Sequence, residues 1–354
     1  MKEKLTGFLI IALLSSCFSG KQPAAGVSAV ATTGQRTTFT NPIGSGADPW
    51  VIKNGKFYYV CYSGQDGILV GKSQSLSRPG KGVKVWTNSS SGWNSKNVWA
   101  PELHKIGNKW YIYYAAGKSG PPFIDQRSGV LESVSDDPQG AYKDKGILKT
   151  GHDENDYVKT IWAIDVTVGQ INKQWYALWS GWERNSHTDK TSQHLYIAEL
   201  ANPWTISSER VRLSSPEQSW ETGGPLDLNE GPEFLQRNGK TFIIYSTRES
   251  WTKEYRLGQL TLKEGADPLK PSSWEKKGPV FEGTEQVFGV GHASFTTSPD
   301  NKEWWIFYHS KTTADHGWDR DIRLQRFTWN AIGQPVFGKP LPAGTAILKP
   351  SGER

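Results

Sequence analysis

A single methionine, two cysteines and no run of Lys or Arg longer than two are the shortages of this 354-residue sequence. Two cysteines cannot build a disulfide framework, and no Cys/His spacing suits zinc. The formal charge of +6 is thinly spread, so the clustered basic face that nucleic acid requires is missing and no nucleic-acid partner is expected. Hydrophobic residues make up only 36%, and long Leu/Ala-rich stretches are absent after residue 31. Those features exclude a helical bundle and a coiled coil. No Gly-x-Ser-x-Gly, Walker loop, dinucleotide fingerprint or EF-hand loop occurs. What is plentiful is aromatic or turn-forming: 17 Trp, 13 Tyr, 13 Phe, 37 Gly and 20 Pro. Aromatic side chains suit strands and Gly and Pro suit the turns between them, so an all-β protein is expected. Flat rings in such number also suit a surface that faces carbohydrate.

The N-terminus stands apart from this pattern. Residues 1–16 read MKEKLTGFLIIALLSS, a short basic start followed by an apolar run of seven, Phe8 to Leu14. The run is too short to span a membrane and is typical of a secretory signal. Leu14-Ser15-Ser16-Cys17 is similar to a bacterial lipoprotein signal, in which cleavage precedes a cysteine that then carries lipid. The expectation is export across the inner membrane as a periplasmic or cell-surface lipoprotein, attached to a membrane through Cys17. Residues 17–38 are rich in Gly, Ser, Ala and Thr and read as a flexible tether. Cys61 is then without a partner and reads as a small buried hydrophobe.

The rest of the chain repeats. NGKFYYVCYS (54–63), NKWYIYYAAG (108–117), NKQWYALWSG (172–181), NGKTFIIYST (238–247) and NKEWWIFYHS (301–310) share a polar turn followed by an aromatic strand. Aligned on Phe57, Trp110, Trp175, Thr241 and Trp304, they recur at intervals of 53, 65, 66 and 63 residues. Asn-Gly and Asn-Lys between apolar runs are hairpin signals. Each signature is therefore the second strand of a hairpin whose first strand lies just upstream. A period of this length with room for about four strands per unit predicts a single-domain five-bladed β-propeller over 39–348.

In a propeller the first strand of each blade lines the central channel. Its entry ends carry Asp48, Glu102, Asp165, Glu230 and His292, at 9, 8, 10, 11 and 12 residues before the alignment positions. Asp48 in GADPWV, Asp165 in WAIDVTV and Glu230 in NEGPEF are set among apolar, Gly or Pro residues, where an isolated charge is costly. Glu233 lies deeper and reads as a structural partner, as Glu102 in WAPEL also can. Converging carboxylates serve glycoside cleavage, in which one carboxylic acid protonates the leaving oxygen and one carboxylate activates water or attacks carbon. A third negative group keeps the acid protonated. Three carboxylates and a histidine also suit calcium, which is the competing use.

NPIGSGADPWV (41–51), VWAPELH (98–104), IWAIDVTV (161–168), NEGPEF (229–234), GVGHASF (289–295) and IRLQRFTWN (322–330), in this order, resemble glycoside hydrolase family 43, five-bladed propellers that trim arabinose- and xylose-containing polysaccharides. The resemblance implies Asp48 as general base, Glu230 as general acid and Asp165 as the carboxylate that tunes and orients Glu230. It implies Trp99 as an aromatic wall of the pocket and Arg323 as an arginine that reaches the sugar. It also implies His292 as a channel histidine near a structural calcium ion held largely through water, with no cofactor required. The mechanism implied is inversion. HLYIAELANPWT (194–205) and SWTKEYRLGQL (250–260) are most similar to the exo-acting α-L-arabinofuranosidase branch, whose substrate would be a plant cell-wall oligo- or polysaccharide cleaved by a monomer. The alternatives are a β-xylosidase or endo-arabinanase of the same family, or a non-catalytic surface glycan-binding propeller.

Overall fold

A computed structural model describes residues 36–353. The signal over 1–16, Cys17 and the tether through residue 35 lie outside the described residues. The described chain is β-structure and loops, with one short 3₁₀ turn at Pro271–Ser273. Five sheets of antiparallel strands follow one another along the sequence. Their innermost strands are Trp50–Asn54, Lys96–Ile106, Ala163–Ile171, Asn229–Arg237 and Phe288–Thr297. These five adjoin one another in a closed ring around the channel, which is the expected five-bladed propeller.

The hairpins form where the Asn/Gly pairs predict them. Asn54 pairs with Phe57, Ile106 with Lys109, Ile171 with Gln174 and Arg237 with Lys240, leaving two-residue turns. Asn238 and Gly239 both have positive φ, as do Asn172 and Lys173. That backbone matches the right-handed twist of the flanking strands. The aromatic signatures pack between blades. Tyr59, Cys61 and Val70 of the first blade meet Leu103, Trp110 and Ile112 of the second. Ile244 and Leu257 of the fourth meet Ile306 and Tyr308 of the fifth. The hydrophobic core is thus a set of layers between neighbouring sheets, and Cys61 is a buried, unpaired member of one of them.

The ring closes through the N-terminus. Gly44–Ser45 adds an outer strand to the last blade, pairing with Ile322 and Asp321. Asn41 extends the contact: its side chain accepts from Leu324 N–H at 3.0 Å and donates to Leu324 O at 2.9 Å. Arg36 to Thr38, placed in the tether by the sequence, belong to the folded body. Thr38 and Phe39 pair with Leu348 and Ile347, and Arg36 Nη1 donates to Glu303 Oε1 at 2.8 Å. The fold also runs past residue 348, since Glu353 Oε2 accepts from Leu76 N–H at 2.8 Å.

Candidate active site

One local device builds the funnel. In four of the five inner strands the pairing with the second strand slips by one residue, the mark of a β-bulge. The slips fall between Trp99 and Glu102, Ile164 and Thr167, Glu230 and Glu233, and Gly291 and Ser294. The first bulged residue has positive φ in each: Ala100, Asp165, Gly231 and His292. Asp48, at φ 51°, holds the corresponding place before the first inner strand. The bulge re-aims the side chain at this position towards the channel axis, and it accepts non-glycine residues only at a conformational cost. At Gly231 a side chain is disfavoured, because φ is positive and a Cβ would crowd His292 Nδ1 at 3.0 Å.

The bulge register corrects the ring read from the sequence. Asp48, Asp165 and His292 share one tier, and Glu230 joins them from one residue upstream of Gly231. Glu102 does not. It lies two residues beyond its bulge, in a deeper tier with Thr167, Glu233 and Ser294. There His104 Nε2 stands 2.8 Å from Glu102 Oε2, and Thr167 Oγ1 donates to Glu233 Oε2 at 3.2 Å. Burial, and then the charge of Glu102, pushes the Glu233 carboxyl well up. A proton held on Glu233 gives the buried Glu102 Oε1, which has no other partner, a donor. This tier is structural support under the funnel.

In the upper tier Asp48 and Glu230 have opposite surroundings. Asp48 Oδ1 lies 3.3 Å from His292 Nδ1, 3.3 Å from His309 Nδ1 and 3.4 Å from Arg320 Nη1. Burial opposes charge on Asp48, but His292 and Arg320 outweigh it and hold the carboxyl well below the usual range. Burial raises the Glu230 carboxyl to about 7, with the charge of Asp48 adding to the effect and Tyr255 and Arg320 opposing it. Asp165 is likewise raised by burial, and by Glu230 and Asp48, while His292 and the Gly231 N–H, at 3.0 Å from Oδ2, pull the other way. The two groups oppose each other's ionisation, so they titrate as a pair and not as independent acids.

His309, Tyr255 and Arg320 escaped the sequence reading. The backbone N–H of Asp48 donates to His309 Nδ1 at 3.1 Å, which puts the ring proton on Nε2. Burial pushes the His309 imidazole down to about 4, so it is neutral. Tyr255 stacks on it with centroids 5.4 Å apart and planes at 13°. Tyr255 O–H also donates to Glu230 Oε1 at 2.9 Å. A stacked pair therefore joins the two carboxyls, and Gly291 makes room for it, since a Cβ there would meet the Tyr255 ring at 2.2 Å.

Arg323 does not reach the funnel. Its guanidinium is buried, with Nε donating to Ser310 Oγ at 2.6 Å and Nη1 to Leu341 O at 3.0 Å. Side chains alternate along the strand Arg320–Trp329, so residues three apart face opposite ways. The arginine at the funnel is Arg320. Trp99 is half-buried beside the second bulge, edge-on to Phe123 at 4.9 Å. His292 is directed at Asp48, and among the described residues no three His, Cys, Asp or Glu side chains converge as a metal cage. The donor set does not fit calcium held by the protein itself.

A family model described as glycosyl hydrolases family 43 matches residues 39–335. Alpha-L-arabinofuranosidase B of Pyricularia oryzae is 36% identical over 84% of this chain and 62% of its own length. An extracellular exo-alpha-(1->5)-L-arabinofuranosidase of Streptomyces avermitilis is 35% identical over 91% of this chain and 67% of its own. The chain thus spans about two thirds of the length of these relatives. The crystal structure of alpha-L-arabinofuranosidase from Lactobacillus brevis is 33% identical and superposes with a TM-score of 0.78, covering 87% of this chain and 98% of that one. The match along 39–335 takes in all five inner strands and the funnel they build, and the chain belongs to glycosyl hydrolases family 43.

Proposed function

We propose that this protein is an inverting, exo-acting α-L-arabinofuranosidase that releases terminal L-arabinofuranose from arabinan or from arabinose-containing hemicellulose side chains. The observation that carries the reading is the opposed state of two carboxyls in one funnel. Asp48 is held ionised by His292 and Arg320, while Glu230 is held towards its protonated form. Asp48 takes a proton from water as the water attacks the anomeric carbon, and Glu230 protonates the departing oxygen. Asp165 and Glu230 each oppose ionisation of the other, and Asp165 positions the Gly231 backbone beside it. Neutral His309 fixes Asp48 through the backbone N–H and does not compete for the proton. Trp99 walls the sugar pocket.

The names of the relatives from Pyricularia, Streptomyces and Lactobacillus support arabinofuranose as the sugar. The decisive comparison is hydrolysis of 4-nitrophenyl α-L-arabinofuranoside beside the β-D-xyloside. The reading expects the arabinoside to be strongly preferred, and preference for the xyloside would sink it. The extracellular character named for the Streptomyces relative agrees with the signal over residues 1–16. We further assign the protein to a membrane surface through lipid on Cys17, acting as a monomer on plant cell-wall polysaccharide. Mass spectrometry of the mature protein from its native host would show a lipidated N-terminal Cys17, and cleavage at another site would end that assignment.

A further inference from the structure

All 17 tryptophans lie among the described residues, and one of them is exposed: Trp318, at 60%. The other 16 are buried or half-buried in and around the blades. An indole left in water needs a reason, and the position of this one supplies it. Trp318 sits in the connection between Trp304–Lys311 and Arg320–Trp329, which emerges at the funnel end of the last blade. The corresponding connection of the fourth blade, between Lys240–Thr247 and Arg256–Leu262, carries Trp251. The two rings meet at 5.0 Å with planes at 47°.

The pair is held in place. Gly317 N–H donates to Trp251 O at 3.0 Å, and Lys311 Nζ donates to Gly317 O at 2.6 Å. Each loop is also rooted in the catalytic funnel. Arg320, two residues after Trp318, places its guanidinium 5.7 Å from the Trp318 ring centroid and 3.4 Å from Asp48 Oδ1. Tyr255, four residues after Trp251, hydrogen-bonds Glu230 Oε1. The loop that carries Trp251 thus leads directly to Tyr255, the partner of the carboxyl that must face the departing oxygen.

We infer that Trp251 and Trp318 form a platform for the leaving-group sugar, the ring from which arabinofuranose is cut, with Trp318 stacking on its apolar face. The inference rests on the proposed glycosidase reading. An indole presents a broad face with little conformational entropy to lose on binding, and its electron-rich surface favours the C–H groups of a sugar. A platform on the leaving-group side makes the enzyme sensitive to what the arabinose is attached to.

The test compares kcat/KM for α-1,5-arabinobiose, whose leaving group is a sugar, with that for methyl α-L-arabinofuranoside, whose leaving group is a methyl. Trp318→Ala is expected to lower the disaccharide value about tenfold more than the methyl glycoside value, the scale of one aromatic stacking contact, chiefly through KM. Trp318→Phe is expected to recover most of that difference. Equal losses on both substrates, or no loss on either, would overturn the platform while leaving the glycosidase reading intact. A wild-type enzyme that cleaves neither substrate would overturn the glycosidase reading instead. The platform then stands or falls on calorimetric binding of arabinobiose to the Asp48→Asn protein, which is expected to weaken about tenfold when Trp318→Ala is added; unchanged binding would refute it.

Discussion

Asp48 and Glu230 answer to different neighbours, and the difference can be read in pH profiles. General acid and base groups are typically worth ~10²–10⁴-fold each. Asp48→Ala is therefore expected to lower turnover by that order for every leaving group, because water must always be activated. Glu230→Ala is expected to cost less on an aryl arabinoside whose leaving group needs little protonation. Two variants should move the alkaline limb in opposite directions. Asp165→Asn removes the carboxyl whose ionisation competes with that of Glu230, so the acid ionises more readily and the limb shifts to lower pH. Tyr255→Phe removes the donor that favours the Glu230 carboxylate, so the limb shifts to higher pH. Shifts of the same sign in both would contradict this electrostatic picture. Chelation is expected to leave turnover unchanged, and a loss reversed by calcium would place a water-held ion at His292.

At the scale of the strand, the repeated bulge separates a catalytic tier from a supporting one. Glu233 is the sensitive member of the support. Burial raises its carboxyl above the value it has in the unfolded chain, so its contribution to stability is fully present below that unfolded value, near 4.5. The contribution is lost as pH rises towards the folded value. Glu233→Gln keeps the shape and removes the titration. Melting temperatures of the variant are expected to fall less than those of the wild type between pH 5 and 9, and parallel curves would show that Glu233 is ionised in the fold. The carboxylates of the catalytic tier were legible in the sequence because charge among Gly, Pro and apolar residues is conspicuous. The tier to which Glu102 belongs was not, since a one-residue bulge leaves no mark in spacing that already varies. Arg323 misled for a related reason: a motif locates a strand, but alternation along it decides which arginine faces the funnel. His309 sits near the end of a second strand and Tyr255 just before a third, and Asp48 meets His309 across 261 residues of chain.

Across the whole molecule, closing the ring and building the site are one event. Gly44–Ser45 supplies the outer strand of the last blade, Gly46 N–H donates to Arg320 O at 2.9 Å, and Asp48 follows two residues later. The closure thereby brings Asp48 to Arg320 and His309. Hairpin spacing alone foretold the number of blades, whereas the edge that completes the last one depends on pairing between opposite ends of the chain, which spacing does not encode. Asn41 is the test of that seam. Its two buried hydrogen bonds to Leu324 are worth about 1–3 kcal/mol when one side is left unpaired. Asn41→Ala is expected to lower the melting temperature by a few degrees, and an unchanged melt would show that the seam contributes nothing to stability. Single-step displacement by water activated at Asp48 inverts the anomeric carbon, and the anomer first released reports on it directly. Proton NMR of an α-L-arabinofuranoside digest, recorded before mutarotation, should show β-L-arabinofuranose, and an initial α product would contradict the account.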